Sequence, residues 1–420
     1  MATGPSLPQL PSVTKISQYV TRILGQNPGK FTLQGTNTYL IHHPSSPSLI
    51  LLDTAQSFPS YLPHLRSSIQ SHPIQPCVIT DIILSHYHHD HTEGTRAVLE
   101  ELGRMGCVRD GGVRVWKFRC DEGGKREEEG KDLGIEEGLE GIEEGLVDTK
   151  EIQEGLIEGG GGGGGGKIRA LKDGQKFTIR DPGAAKKDSS SDSEADLLLE
   201  IVHTPGHTTD SVSILLHGPS STFSSSSSKP LGLFSFDTVL GHGTAVFSSL
   251  STYLSSLTSL INQLSPSSSS SESSNEEKER IPIFPGHGEV IEDGVSKLKE
   301  YRKHRLDREE QVVEALKGIR SGGRGIEEGT TASSLTQKIY GSSIPSSLIP
   351  AATRGILLHL EKLVLDGTVS RQDPSPGGQG GDRLDWEGMG IKEKDIPKGW
   401  NDEWKWVGSD GEREAGREEN

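Results

Sequence analysis

The chain has 420 residues, of which only 31% are hydrophobic and 53 are glycine. This length allows two or three domains, but the composition indicates that much of the chain does not pack into a core. The formal net charge of −16 argues only modestly against a nucleic-acid partner, because residues 119 to 166 carry 15 acidic and 5 basic side chains and the remainder is close to neutral.

Cysteine usage and the lack of targeting signals bear on location. Cys77, Cys107 and Cys120 show no paired spacing, which is typical of a reducing compartment. No apolar run approaches the roughly 20 residues of a membrane-spanning helix, and residues 1 to 13 do not resemble a signal peptide. We therefore expect a soluble cytoplasmic protein without a membrane partner.

The first predicted elements are short strands followed by one helix. Apolar runs at residues 38 to 41 and 49 to 52, separated by a proline- and serine-rich turn, predict antiparallel strands. A helix is predicted from about Leu62 to Gln70, with Pro63 in its first turn. An apolar run at residues 78 to 84 then predicts a further strand, so the order of elements indicates a layered α/β fold.

A cluster of histidines follows this last strand. Residues 85 to 91 read Ser-His-Tyr-His-His-Asp-His, and imidazole and carboxylate groups in this spacing can point alternately at two neighbouring metal ions. The alternative is a solvated surface cluster, since the chain contains 15 histidines. The position of the cluster, between a buried strand and a helical pattern at residues 95 to 102, favours a metal site.

Three later motifs also place a candidate ligand just past a strand end. Residues 203 to 208 read His-Thr-Pro-Gly-His-Thr after an apolar run, and Asp237 follows a run at residues 234 to 236. Residues 281 to 288 read Ile-Pro-Ile-Phe-Pro-Gly-His-Gly. Together with the histidine cluster, these motifs predict one composite metal site.

Residues 119 to about 166 interrupt the folded pattern. The pentamer Ile-Glu-Glu-Gly-Leu at residue 135 recurs seven residues later, and eight glycines follow from Gly159 to Gly166. A seven-residue period is typical of a coiled coil, but each glycine costs about 1 kcal/mol in a helix. We interpret this segment as a disordered insertion.

The C-terminal part is predicted to be helical and then disordered. A charged helix is expected beyond Gly294, followed by helices over residues 332 to 341 and 352 to 367. From about residue 371 the chain is polar and acidic with scattered tryptophans, which favours a disordered tail.

The order of the four metal motifs resembles that of the metallo-beta-lactamase superfamily. The strings at residues 27 to 40, 238 to 247 and 301 to 305 resemble the beta-lactamase-like protein 2 branch, and fungal polyketide thioesterases of the superfamily also look similar. The resemblance implies an α/β chain with the four-layer αββα metallo-beta-lactamase fold. It implies a hydrolase domain at residues 12 to 294, a small winged-helix-like domain at 295 to 370, and a tail at 371 to 420.

The resemblance also assigns the site. It implies two Zn²⁺ ions, or other divalent metals, that share a bridging hydroxide. Asp90 would in addition carry the proton, and Asp53 would be a structural carboxylate. The implied metal ligands are His86, His88 and His207 for the first ion, Asp90, His91 and His287 for the second, and Asp237 as the bridge.

Three positions depart from the family pattern. Tyr87 stands where relatives often have tryptophan, and Ala55 and Phe236 stand where they often have glycine. Because Phe236 directly precedes Asp237, a bulky side chain there could shift the strand end and impair turnover.

The sequence leaves three hypotheses about the function open. The first is an acyl thioester, such as a polyketide on a carrier protein, and the second is single-stranded RNA cleaved by an endoribonuclease. The third is a metal-binding scaffold without activity. In the winged-helix region Arg354 and Lys362 are balanced by Glu361 and Asp366, so packing is favoured there over nucleic-acid binding.

Overall fold

The computed structural model describes residues 7–109, 111–119, 168–180, 182, 196–218, 230–265, 280–320, 330–341, 344–372 and 402–407. Nearly all of the predicted insertion at residues 119 to 166 lies outside these ranges. The described chain divides into two compact units. The first takes the residues up to Tyr301 except Ser249–Ser251, and the second takes those three and the residues from Arg302 onward.

The first unit contains two sheets. The larger sheet consists of β1 (Val13–Lys15), β2 (Val20–Leu24), β3 (Asn37–His42), β4 (Ser48–Leu52), β5 (Val78–Leu84), β6 (Arg114–Phe118) and β7 (Arg169–Leu171). Its strands lie in chain order, antiparallel from β1 to β4 and parallel from β4 to β7.

The smaller sheet has five strands. They are β8 (Lys176–Ile179), β9 (Leu197–His203), β10 (Val212–His217), β11 (Gly232–Phe236) and β12 (Ile283–Pro285). The spatial order is β12-β11-β10-β9-β8, and every pair is antiparallel except β11 with β12. As a result β9, β11 and β12 all run in the same direction.

The two sheets pack face to face through one apolar layer. Alternate side chains of a strand point to opposite faces, and this layer collects one face of each sheet. Tyr39, Ile50 and Ile83 come from the larger sheet, and Phe177 and Phe234 come from the smaller one. All six residues of β3 are buried, as expected for a strand that is covered on both faces.

Helices cover the outer faces. Helix α1 (Leu62–Gln70) and helix α3 (Thr95–Met105), with the short α2 (His89–Thr92) between them, lie on the larger sheet and bury Leu65, Ile69, Val98 and Leu102 there. Helix α1 has the predicted bounds. On the smaller sheet, the hydroxyl of Tyr253 in helix α4 (Leu250–Leu264) donates to the carbonyl of Thr238 at 2.7 Å. The predicted αββα layering is therefore confirmed.

The second unit is helical with a small sheet. It contains helix α5 (Gly294–Arg320) from Arg302 onward, helix α6 (Ala332–Tyr340) and helix α7 (Ile349–Leu365). Strands β13 (Thr330–Thr331), β14 (Val369–Gln372) and β15 (Glu403–Trp406) form a sheet with β15 in the centre. Among the described helices, none is both long and apolar enough to cross a lipid bilayer.

One part of the predicted disordered tail is ordered. Strand β15 pairs with β13 and β14, and the Trp404 side chain packs into the core of the second unit with Leu335, Ile356 and Leu360. The expectation of a tail without structure is therefore wrong for this strand. The physical reason is the alternation Glu-Trp-Lys-Trp, which places both tryptophans on one face of a strand. The rest of that tail lies outside the described residues.

Candidate metal centre

The seven predicted ligands converge at one edge of the first unit. The histidine cluster follows the end of β5, and Asp90 and His91 lie on the single turn of α2. His207, Asp237 and His287 follow β9, β11 and β12. Since these three strands run in the same direction, their carboxyl ends meet at the same edge and bring together residues that are far apart in the chain.

The first ligand group consists of His86, His88, His207 and Asp237, whose nearest ligand atoms all lie within 4.8 Å of one another. His88 Nδ1 is 2.9 Å from His86 Nε2 and 3.0 Å from His207 Nε2. The Asp237 Oδ2 atom lies 3.7 Å from His207 Nε2. Three imidazole nitrogens and one carboxylate oxygen thus surround a single point.

The second group consists of Asp90, His91 and His287, again with ligand atoms within 4.8 Å of one another. Asp90 Oδ2 lies 3.3 Å from His91 Nε2 and 3.2 Å from His287 Nε2. Asp237 also reaches this group, with Oδ1 at 3.4 Å from His91 Nε2 and Oδ2 at 3.4 Å from His287 Nε2. Asp237 therefore contacts both groups.

Hydrogen bonds at the far side of each ring set which nitrogen faces the site. The Ser85 hydroxyl donates to Asp53 and therefore accepts from His86 Nδ1 at 2.9 Å. His207 Nδ1 donates to the carbonyl of Val246 at 2.7 Å. Both rings then present an unprotonated Nε2 toward His88 Nδ1 at hydrogen-bond distance.

These atoms fit a metal ion. The His91 Nε2 and Asp237 Oδ1 atoms are buried and have no hydrogen-bond partner among the described residues. Such groups cost about 1–3 kcal/mol each when left unsatisfied, and a cation between them would satisfy both. Imidazole and carboxylate are ligands that borderline divalent ions such as zinc prefer. The cluster is therefore able to bind metal ions.

Burial keeps the histidines of the first group neutral. It lowers the pKa of His86 well below the usual range, helped by the neighbouring imidazoles. It also lowers the pKa of His88 to about 3 and lowers the pKa of His207. Neutral imidazole is the form that binds a metal.

The second group is dominated by charge. Burial disfavours each charged form, but Asp90, Asp237 and Asp53 outweigh it and raise the pKa of His91 well above its usual range. Against the same opposing effect, Asp237 and Asp90 raise the pKa of His287 to about 9. In return, the histidines hold the pKa values of the Asp90 and Asp237 carboxyls well below normal. Both carboxylates are therefore ionised.

Asp53 supports the centre from outside, as the sequence predicted. Its Oδ2 accepts from His91 Nδ1 at 2.7 Å, and its Oδ1 accepts from the backbone N–H of Ser85 at 2.7 Å. One carboxylate thus orients a ring of the second group and the chain segment that leads to the first.

The loop that carries His287 is fastened to β3. Asn37 Nδ2 donates to the carbonyls of Pro285 and Gly288, both at 2.9 Å, and the hydroxyl of Tyr39 donates to Pro285 at 2.6 Å. Thr36, just before β3, donates through its hydroxyl to Asp90 Oδ2 at 3.1 Å. Sequence reasoning did not assign these roles, although the side chains lie in the string at residues 27 to 40 and are polar within a buried strand.

A buried ion pair was also missed. Lys117 on β6 pairs with Asp210, whose other oxygen accepts from the Thr208 hydroxyl at 2.7 Å. Thr208 is the residue directly after His207, so this pair holds the loop that presents that ligand. The signal available in the sequence was a lysine inside an apolar strand pattern.

Phe236 and Ala55 occupy left-handed backbone conformations, with φ of 45° and 57°. Glycine tolerates this region without steric cost. Phe236 nevertheless packs within the layer between the sheets, and Asp237 remains in reach of both groups. The expected displacement of the ligand by Phe236 is not seen.

Comparison with known proteins shows the family of this chain. The model of the metallo-beta-lactamase superfamily matches residues 32–263, more than half of the chain, and that of the beta-lactamase associated winged helix domain matches residues 331–377. A beta-lactamase-like protein 2 homolog from Drosophila melanogaster is 30% identical over 362 residues, which cover 86% of this chain and 92% of the relative.

A fungal relative and a solved structure agree. The lactamase-like protein nscB of Trichophyton equinum is 28% identical over 376 residues, covering 88% of this chain and 84% of the relative. A beta-lactamase domain protein from Burkholderia ambifaria has the same fold, with a TM-score of 0.53, 15% identity and 96% coverage of both chains. The chain therefore belongs to the metallo-beta-lactamase superfamily, whose members are in general hydrolytic enzymes, and it carries the associated winged helix domain.

Proposed function

We propose that this protein is a binuclear-metal hydrolase that cleaves acyl thioesters, with a polyketide or similar acyl chain on a carrier protein as substrate. The observation that carries the reaction class is the position of Asp237, which lies within 3.7 Å of His207 and 3.4 Å of His287. A carboxylate between two ligand groups suits a shared pair of cations. Two Zn²⁺ ions are the expected cofactors, and other divalent metals also fit these ligands.

Each ligand group would bind one of the two metal ions. When bound, the two metal ions would supply a hydroxide nucleophile near neutral pH and would polarise the carbonyl oxygen of the substrate. Asp237 contacts both groups and offsets part of the positive charge. The proposed ligands are His86, His88 and His207 for one ion and Asp90, His91 and His287 for the other.

Asp90 has a second role as the group that moves the proton. The Thr36 hydroxyl fixes its carboxylate, and the neighbouring histidines keep it ionised despite burial. The carboxylate accepts the proton of the attacking water and delivers it to the sulfur as the carbon–sulfur bond breaks. Water and thioester thus become carboxylic acid and thiol, and Asp90 is regenerated.

The surroundings of His207 favour an acyl substrate over RNA. Val246, whose carbonyl accepts from His207 Nδ1, is 51% exposed. Lys117 is buried and its charge is neutralised by Asp210. Proteins bind phosphate backbones mainly through Lys and Arg, so an exposed valine and a neutralised lysine near His207 suit an uncharged acyl group better.

A parallel activity assay tests this proposal. Zinc-loaded full-length protein is offered an acyl-coenzyme A thioester and a single-stranded RNA, each with and without 1,10-phenanthroline. We expect thioester cleavage that the chelator abolishes and that Asp90→Asn lowers by at least about 100-fold. The exposed Glu100→Gln is the matched control and should retain full activity.

The other outcomes reject the proposal in distinct ways. Cleavage of RNA alone would make the protein an endoribonuclease. Inertness toward both substrates with zinc bound would support a metal-binding scaffold without turnover.

A further inference from the structure

A cavity of about 450 Å³ lies in the first unit at the opposite end of the strands from the metal centre. Sites for small molecules typically span roughly 300–1,000 Å³. Its wall includes Ser48 and Arg114, the first residues of β4 and β6, whereas the metal ligands follow the strand ends. From Asp81 in this wall to Leu84 at the end of β5, the chain advances by roughly 10 Å. The cavity is therefore separate from the hydrolytic site.

The wall of this cavity is rich in positively charged side chains. Its wall carries Arg109, Arg114, Lys176 and Arg180, and among the described wall residues Asp81 is the one carboxylate. Lys176 Nζ also lies 3.9 Å from a carboxylate oxygen of Glu200, at the limit of an ion pair. This concentration of cations contrasts with the net charge of −16 of the whole chain.

The carboxylate in the wall is fully engaged. Arg114 donates through Nε and Nη2 to the two oxygens of Asp81, both at 2.7 Å, and Trp116 Nε1 donates to the same carboxylate at 2.7 Å. The Asp81 side chain is only 3% exposed. Arginine has five N–H donors, so this pairing fixes the guanidinium and leaves donors for a ligand.

Arg109 supplies a second observation that points to a ligand. Its Nε atom is buried and has no hydrogen-bond partner among the described residues. A buried donor without a partner is costly, and the Arg109 side chain that carries it lies in the cavity wall. Apolar side chains complete the wall. The rings of Trp116 and Phe177 pack edge to face, with their centroids 5.3 Å apart.

We propose that this cavity binds a small molecule carrying two or more phosphate groups. Guanidinium groups match phosphate oxygens with paired hydrogen bonds, and ammonium groups add charge. Beyond the Asp81–Arg114 pair the wall offers Arg109 and Arg180, with Lys176 shared between the cavity and Glu200, and the volume exceeds that of one phosphate. A nucleoside diphosphate and free pyrophosphate share this chemistry.

Isothermal titration calorimetry on zinc-loaded full-length protein tests the proposal, with ADP and inorganic pyrophosphate as separate probes. The variant Arg109→Ala/Arg180→Ala should raise the dissociation constant of the probe at least about tenfold. The control Arg96→Ala/Lys303→Ala removes two exposed cations elsewhere and should leave it unchanged. Arg180→Ala alone changes one exposed residue, keeps the fold, and should weaken binding about threefold or more.

The arms also locate the ligand and identify its source. Binding of ADP but not pyrophosphate would assign a nucleotide, and equal binding would assign the diphosphate group. Binding that disappears with 1,10-phenanthroline belongs to the metal centre and would overturn the proposal. Equal affinity of the Arg109/Arg180 variants and the unchanged protein would also overturn the proposal. So would the absence of binding of either probe at about 1 mM.

Discussion

The Asp53 carboxylate and the His91 imidazole form a fully buried pair, with Oδ2 2.7 Å from Nδ1. The pair fixes the ring so that Nε2 faces Asp90 and Asp237, the two carboxylates of the site. A carboxylate behind a ligating histidine orients the ring and increases its basicity. Asp53 therefore orients a candidate metal ligand and does not itself belong to either ligand group.

Replacing Asp53 with asparagine should weaken zinc binding at the position that contains His91. The volume is kept but the charge is lost, and such partners are typically worth about 10–100-fold in metal affinity. Competition with a chromophoric zinc chelator measures the change. Glu100→Gln, at an exposed site on α3, is the control. Equal zinc affinities of Asp53→Asn and the unchanged protein would contradict the role given to Asp53.

Gly286 is required because of close packing around Asp237. A Cβ atom at this position would lie 2.2 Å from Asp237 Oδ1 and 3.0 Å from His91 Cε1. Gly286→Ala should therefore displace a ligand, at a cost of about 1–3 kcal/mol in overpacking, and lower the zinc content. Gly103→Ala is the matched control, since a Cβ there would meet nothing within 4 Å. Zinc content is measured by elemental analysis, and full occupancy of Gly286→Ala would refute this account.

The left-handed backbone of Phe236 predicts an unusual order of stability. Phe236→Ala and Phe236→Gly both lose the buried ring, at about 3–5 kcal/mol, but only alanine keeps the strained conformation, worth about 1–2 kcal/mol. The glycine variant should therefore be more stable than the alanine variant by about 1 kcal/mol in urea unfolding.

Leu233 on the same strand provides the comparison for Phe236. Its backbone is not among those with positive φ, so Leu233→Ala should be more stable than Leu233→Gly by about 0.5–1 kcal/mol. The same order at both positions would show that the conformation of Phe236 does not matter for stability.

Glu361 predicts a pH dependence in the second unit. Burial raises the pKa of Glu361 to about 7, although Arg354 and Arg371 oppose the shift. Because the folded-state pKa is above the usual value of 4.5, the folded state binds this proton more tightly. Stability from this group is full below pH 4.5 and is lost as the pH rises through 7, by on the order of 1–3 kcal/mol.

Tryptophan fluorescence during urea unfolding at pH 5 and pH 8 checks this prediction, because Trp404 is buried in the second unit. Glu361→Gln should remove the loss of stability at pH 8, whereas Glu314→Gln, at an exposed helix position, should not. If Glu361→Gln loses as much stability as the unchanged protein, the pH effect has another source.

The residues that the structure brings together at the candidate metal centre could be named from the sequence, because metal chemistry restricts residue types and spacing. His86 and His88 could be identified from a short motif after a strand, and Asp237 from its place in the order of motifs. The contacts of Asn37 and Tyr39 with the loop before His287 could not, since they join residues about 250 positions apart. Such pairings depend on strand order, which local patterns do not encode.

The same limit applies to the second unit. Strand β15 is only four residues long and pairs with strands far from it in the chain. The acidic sequence around it therefore did not predict that Trp404 is buried. Phe236 is a departure from the family pattern that led us to expect a shifted strand end, and the structure keeps Asp237 in reach of both groups. The backbone adopts the left-handed conformation with phenylalanine as well, because packing of the ring offsets the strain.

The number of zinc ions bound per chain tests the central claim most directly. Elemental analysis of full-length protein reconstituted with zinc should give two ions per chain, because Asp237 contacts both ligand groups. Asp237→Ala should bind fewer than two ions per chain while circular dichroism remains unchanged. Two ions retained by Asp237→Ala, or no more than one bound by the unchanged protein, would contradict a shared pair of metals.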